Sequence, residues 1–285
     1  MGLFFSSDRF TRPGPGVRPD APRKKGVARL AEIMGRDMWN FFRAGFLAFL
    51  GCLPFIIGMF FAVETHALLF MLLAGIIGGL IAGPELSAMA DTVLRSLRDE
   101  PGYWWETYRR VWKRNARESL VPGMLTGLVL SMQIFTLFHM SVISAGIVTW
   151  VLLILSFVIT LGLESYIWPQ IALLDLPLYG ILKNSLLLFL GYLPRSLGAI
   201  AIKAVYWGAI LLFFPLTTII LPFTNFWLPM LPALLCIYQP LNKCFTIEST
   251  INKMREDELN AALAKDNEPL PEAPTEKAEE STEAS

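Results

Sequence analysis

The chain has 285 residues, of which 54% are hydrophobic and only 17% are charged, whereas soluble domains carry about 25% charged residues. This composition excludes an ordinary soluble domain. The formal net charge is zero, but basic residues are in excess up to residue 43 and acidic residues are in excess from residue 256, so the two ends differ in charge.

Residues 1–37 are predicted to form a basic, Pro/Gly-rich cytoplasmic segment. Its central run, "TRPGPGVRPDAPRKK", offers little apolar surface to bury, so we expect it to be disordered.

The membrane domain is predicted over residues 38–245. A membrane-spanning helix needs about 20 mostly apolar residues, and six stretches approach this length. They pair into three hairpins, whose outer turns we expect near His66, His139 and Asn225. The predicted fold is therefore an all-α, polytopic transmembrane helical bundle, with spans near 38–63, 65–83, 119–138, 140–163, 196–221 and 226–242.

A cytoplasmic amphipathic helix is predicted over residues 101–117, with Pro101 suited to its first turn. Trp104 and Tyr108 share one face with Val111 and Asn115 at helical spacing. Lipid headgroups or a docked protein would both suit an aromatic and basic helix of this kind. Nucleic acid is not expected, because the segment is tethered directly to two spans. The basic residues of the opposite face include Arg110, Lys113 and Arg114.

Two further segments depart from simple spans. Residues 165–194 are apolar but interrupted by prolines, which favours an extension of span four followed by an interfacial or re-entrant helix. Residues 246–285 are acidic, and we expect a disordered cytoplasmic tail.

The positions of Lys and Arg predict the orientation. None of them falls in the predicted outer turns: they lie in the termini, in the loops of one side or, like Arg43 and Lys203, toward that side within a span, and the positive-inside rule assigns that side to the cytoplasm. Lys203, two turns beyond Arg195, is expected to extend back to the inner interface. The sequence therefore predicts a multi-pass protein of the cell membrane with both termini cytoplasmic.

Gly75, Gly79 and Gly83 recur at four-residue spacing, which predicts a smooth helix-packing face. Glu85 follows this face, and Glu164 ends span four at a comparable depth. These carboxylates are either a cation- or proton-binding pair or structural groups that pair with Arg95, Lys183 or Arg195.

Asn115 and Asn184 each follow a basic residue ahead of an apolar run, so we group them with the two carboxylates as a candidate inner-interface polar site. The two histidines lack a neighbouring ligand set, and no metal site is expected. No nucleotide-binding or nucleophile motif is present in the sequence, so neither a cofactor nor enzyme activity is expected.

The chain resembles the YesL-like family of bacterial integral membrane proteins, known as domain of unknown function 624. The resemblance rests on "MGLFF", on "WNFF" with Asn40, on "CLPFIIG", on the Gly83-Pro84 break, on "DEPGYWWETYRRVWKRN" and, less closely, on "LKNS". Members of the family are often encoded beside carbohydrate importers, and the resemblance implies an accessory role there. It supplies no catalytic residues.

Two functional hypotheses follow. The first is a non-catalytic accessory or regulatory component of carbohydrate uptake, with the lipid bilayer and importer permease subunits as partners. The alternative is a small-solute transporter or channel, which would place polar groups at mid-membrane. The predicted spans carry only Gln133 and Thr160 as isolated polar residues there, which favours the first hypothesis.

Overall fold

The computed structural model describes residues 23–100, 102–141 and 146–266, and every regular element in these ranges is helical. Six helices within the described part are long and apolar enough to cross a membrane. This confirms the predicted all-α membrane bundle of about six spans. The elements are α1 (Gly26–Thr65), α2 (Leu68–Leu97), α3 (Trp104–Phe138), α4 (Ile147–Leu173), α5 (Leu178–Gly191), α6 (Leu193–Leu212), α7 (Leu221–Thr224), α8 (Trp227–Phe245) and α9 (Ile247–Asp266).

Helix α1 is longer than the predicted first span. It begins at Gly26, inside the predicted segment 1–37 and directly after the run 11–25 that the sequence predicts to be disordered, and it ends at Thr65, which His66 follows in the left-handed conformation. This N-terminal extension is ordered because Arg29 and Arg36 bind the end of α2: Arg29 Nη2 donates to the Leu97 carbonyl at 3.1 Å. Residues 1–22 lie outside the described part of the chain.

The predicted helix 101–117 and the predicted span 119–138 form one continuous helix, α3, which begins at Trp104. Nothing between residues 117 and 119 breaks the helix, and Pro122 lies within it. Tyr108 and Val111, on the predicted apolar face, are buried in the protein, and α3 packs along α2. The face is therefore covered by α2 and its neighbours rather than by lipid headgroups. Pro101 lies outside the described residues.

Segment 165–194 contains the end of α4 and the whole of α5. Helix α5 runs antiparallel to α4, because Ser185 bonds to Gln170 at 2.8 Å while Phe189 packs against Gly162. Gly162 lies 11 residues before Leu173, the last residue of α4, so the turn into α6 lies roughly 16 Å from that end of α4, at 1.5 Å per residue. Helix α5 therefore runs back along α4 and leads into α6 before it reaches the other end of α4, which is the arrangement expected of a re-entrant helix.

The turn around Asn225 does not lie with the outer turns, which corrects the predicted third hairpin. Asn225 is buried, and a Cβ atom on Gly45 of α1 would lie 2.3 Å from its Oδ1 atom. The rings of Trp227 and Phe41 stack at 5.9 Å. Gly45 lies 21 residues before His66, which is roughly 32 Å along a helix. Apolar length alone cannot reveal this, because a span and a re-entrant hairpin have similar composition.

The chain divides into two compact units, Met1–Pro240 and Leu241–Ser285. Within the second unit, α9 covers residues that the sequence predicts to be disordered. Its first turn is capped locally: the Glu248 backbone N–H donates to Asn242 Oδ1 at 2.9 Å. Residues 247–266 are rich in Ala, Leu, Glu and Lys, which favour helix even where little apolar surface is buried. The remainder of the predicted tail, 267–285, lies outside the described residues.

Candidate functional site

Glu85 is held by two aromatic side chains of α3. Tyr108 donates its hydroxyl proton to Glu85 Oε2 at 2.5 Å, and Trp112 donates its indole N–H to Oε1 at 2.9 Å. Its side chain also packs against α1: a Cβ atom on Gly51 would lie 2.6 Å from Glu85 Cγ. Glu85 therefore bonds to aromatic donors rather than to the arginine or lysine partners considered from sequence.

Glu164 faces a lysine inside the bundle. Lys203 of α6 is only 8% exposed, and its ammonium group and the Glu164 carboxylate interact electrostatically. Lys203 is therefore enclosed by protein, and its predicted extension to the inner interface stays a prediction. Its helix belongs to the hairpin that turns back beside α4, so the side chain points into protein instead of along a lipid-facing surface.

Cys52 lies within electrostatic range of both carboxylates. The thiol is buried on α1, and both Glu85 and Glu164 act on it electrostatically. Lys203 interacts in the same way with Glu164, so Cys52 and Lys203 are two ionisable groups that the sequence did not group with the carboxylates. We call Glu85, Tyr108, Cys52, Glu164 and Lys203 the ionisable chain.

A polar cavity of about 290 Å³ lies at the end of the ionisable chain, between α1, α2 and the start of α3. Tyr108, which bonds to Glu85, also lines this cavity. Its walls carry both signs of charge, including Arg36, Arg95 and Asp99. Arg95 is itself bonded to Asp91 at 2.7 Å. Polar solutes and water can therefore approach Tyr108, the hydrogen-bond donor to Glu85, from this end of the bundle.

Asp99 ties the rim of this cavity to α1. Its carboxylate accepts from Arg29 Nη2 at 2.6 Å and from Arg36, and it forms an ion pair with Arg23 at 3.2 Å. Partial burial by itself raises the pKa of Asp99, but the hydrogen bonds from Arg36 and Arg29 outweigh it and hold the pKa below its usual value. The carboxylate is therefore ionised at neutral pH and fixes the α2–α3 connection against α1.

The two asparagines lie apart from the carboxylates. Asn115 is 1% exposed; its Oδ1 atom accepts from Arg114 Nε at 3.0 Å, and its buried Nδ2 atom has no partner in the described residues. Asn184 is partly buried on α5. Neither forms a hydrogen bond to Glu85 or Glu164 within the part of the chain that the structure covers.

The glycine face of α2 lies directly against α3. A Cβ atom on Gly79 would lie 2.2 Å from the Gly123 carbonyl oxygen, and one on Gly83 would lie 2.4 Å from the Ser119 carbonyl oxygen. Gly75 similarly faces Ser131. The matching face of α3 has the same four-residue spacing and consists of Ser119, Gly123, Gly127 and Ser131. This repeat is a sequence signal that could have predicted the contact between α2 and α3.

The predicted docking helix divides between buried and exposed groups. Tyr108 is buried and Trp104 is partly buried. Arg114 donates to the Ala172 carbonyl of α4 at 2.7 Å, whereas Arg110 pairs with Glu106 at 2.9 Å on an exposed surface. Lys113 is exposed. Only part of this set therefore remains available to a partner.

The two histidines meet where α1 and α3 end. His66 Nδ1 and His139 Nε2 are 2.7 Å apart, and His139 Nδ1 donates to the Phe135 carbonyl at 2.8 Å. Their separation of 73 residues hides this contact in the sequence, which indicates only that both lie in turns. No group of three or more His, Cys, Asp or Glu side chains within the described ranges is arranged to hold a metal ion.

No protein-family model, curated protein or solved structure matches this chain.

Proposed function

The chain is a polytopic integral membrane protein, with six helices in its described part able to span a bilayer. We propose that it moves a small solute or ion across the membrane in its own right. The observation that carries this proposal is the ionisable chain, which leads from the polar cavity at Tyr108 through Glu85 and Cys52 to Glu164 and Lys203.

Ionisable groups within membrane spans are expensive to desolvate and typically mark ion or proton pathways. The predicted spans are almost wholly apolar at mid-membrane, which by itself disfavours transport. Lys203, only 8% exposed and in electrostatic interaction with Glu164, adds a second ionisable group inside the bundle and supports transport. The re-entrant helix α5 and the π-helical turn Ala74–Gly78 in α2 add the interrupted helices that are typical of transporters.

The ionisable chain offers a simple coupling mechanism. Protonation of Glu164 removes the negative neighbour of Lys203 and leaves an uncompensated ammonium group between α4 and α6. Movement of α6 relative to α4 then exposes Lys203 to water or to an anionic group. Proton transfer at Glu164 would thus favour a different packing of the re-entrant hairpin.

A liposome assay tests this proposal. The purified full-length chain should carry at least one of three probes (protons, a neutral sugar or an amino acid) into vesicles loaded with a pH-sensitive dye or given radiolabelled solute. Glu164→Gln should reduce the flux by about tenfold or more, as expected for loss of a coupling carboxylate, whereas Glu118→Gln, at an exposed position, should not. Inert wild-type vesicles for all three probes would overturn the proposal.

The second candidate is an accessory or regulatory subunit of a carbohydrate importer, as the resemblance to the YesL-like family implies. The observation that favours it is the exposed aromatic and basic surface at the start of α3, where Trp105 is 56% exposed beside Arg110 and Lys113. Such residues are enriched at protein interfaces. Purification in mild detergent should then recover importer permease subunits, and replacing Trp105 with Ser should release them.

We also propose that both termini lie in the cytoplasm of a cell-membrane protein, which the distribution of Lys and Arg supports. Helix α8 begins beside Phe41 and Gly45 of α1. If that position is on the cytoplasmic side, the C-terminus is also cytoplasmic only when α8 does not cross the membrane completely. Ser281→Cys in a cysteine-free chain tests this directly: an impermeant reagent should label it only after the cells are opened, and labelling in intact cells would overturn the proposal.

A further inference from the structure

One arginine side chain, that of Arg43, lies against two indole rings. The Arg43 guanidinium carbon lies 4.9 Å from the ring centroid of Trp39 and 5.6 Å from that of Trp104. Trp39 belongs to the preceding turn of α1, and Trp104 begins α3, so the two walls come from different helices. Stacking against indole rings stabilises a guanidinium and restricts its plane.

Arg43 has no acidic partner among residues 23–100, 102–141 and 146–266. Nearby arginines behave differently: Arg36 pairs with Asp37 at 2.8 Å, and Arg95 pairs with Asp91 at 2.7 Å. The side chain of Arg43 is exposed. Its charge is therefore available to an external anion, while its orientation is already restricted by Trp39 and Trp104.

The depth of Arg43 identifies the anion. It lies 22 residues before Thr65, the last residue of α1, which is roughly 33 Å along a helix. The hydrocarbon core of a bilayer is about 30 Å thick. If the Thr65 end of α1 lies at one membrane surface, Arg43 lies at the other, where phosphates occur. Trp39, which is 60% exposed, is of the residue type enriched at this level.

We propose that Arg43, between Trp39 and Trp104, binds the phosphodiester of an anionic phospholipid of the inner leaflet. The planar guanidinium can donate two parallel hydrogen bonds to phosphate oxygens. The indole rings limit the orientations of the planar guanidinium group, and Trp39 presents an apolar surface to the adjoining acyl chains. This site is independent of the ionisable chain and of the proposed transport.

Native mass spectrometry of the full-length protein tests the site, with phosphatidylglycerol and phosphatidylcholine as probes. Wild type should retain phosphatidylglycerol in preference to phosphatidylcholine. Arg43→Gln should weaken phosphatidylglycerol binding by about tenfold, which corresponds to the loss of one charge-assisted hydrogen bond. Arg43→Lys should recover only part of it, because lysine keeps the charge but lacks the planar fork. Trp39→Leu should weaken binding while keeping the charge.

Arg110→Gln is the matched control, because it removes one exposed guanidinium that has an acidic partner, Glu106. Equal weakening by Arg43→Gln and Arg110→Gln would overturn the proposal in favour of unspecific surface charge. Unchanged binding by a folded Arg43→Gln variant would also overturn it. If millimolar inorganic phosphate competes for the site as well as phosphatidylglycerol does, the site binds free anions, and the lipid proposal is overturned.

Discussion

At the scale of single residues, Lys203 and Glu164 have the largest energetic consequences. A buried charge that loses its partner is strongly destabilising, whereas removal of both charges is often tolerated. We therefore expect Lys203→Met alone to lower the free energy of unfolding in detergent by roughly 2 kcal/mol. The double variant Glu164→Gln/Lys203→Met should recover most of this loss in thermal unfolding. Simple addition of the two single effects would contradict an interaction between the side chains.

Asp99 gives a second prediction, with a defined pH dependence. Its folded pKa lies below its usual value, so its bonds to Arg29 and Arg36 contribute stability that is present above the unfolded pKa of about 3.9. This contribution is lost as the pH falls through the lower folded value. Asp99→Asn should therefore melt below wild type at pH 7, and the two melting temperatures should converge below about pH 4. A constant difference down to pH 3 would contradict this assignment.

At the scale of helices, the crossing of α2 and α3 depends on the absence of side chains. Gly79→Ala would place a methyl group against the Gly123 carbonyl oxygen, and overpacking of this kind costs about 1–3 kcal/mol. Gly208→Ala is the matched control, because nothing lies within 4 Å of a Cβ atom at that position of α6. We expect thermal unfolding to show destabilisation for Gly79→Ala and little change for Gly208→Ala. Equal behaviour of the two variants would contradict the close crossing.

The helices themselves could be predicted from sequence because apolar length and four-residue spacing are local properties. The continuity of α3 does not follow from composition, because the composition changes near Glu118 although no residue there ends a helix. The electrostatic interaction of Lys203 with Glu164 and the contact of Asn225 with Gly45 could not be predicted. They join residues 39 and 180 positions apart, and their formation depends on how α5 and α6 turn back beside α4.

At the scale of the whole molecule, the position of the Asn225 turn changes the expected topology. His66 follows the last residue of α1, whereas Phe223 stacks on Phe42, 24 residues earlier in the same helix, with ring centroids 5.9 Å apart. The two positions should therefore lie on opposite sides of the membrane, although the apolar pattern alone predicts the outer side for both turns. Both residues are exposed in the protein, so cysteines there can report which side they face.

We expect an impermeant thiol reagent to label His66→Cys in intact cells that carry an otherwise cysteine-free chain. Phe223→Cys and Gly102→Cys should be labelled only after the cells are opened, because Phe223 packs on Phe42, the neighbour of Arg43, and Gly102 lies in the α2–α3 connection between Arg98 and Arg109. A denatured sample that labels at all three positions provides the control for reactivity. Labelling of Phe223→Cys from outside would show that α6 crosses the membrane completely, and it would exclude the re-entrant arrangement of α5 and α6.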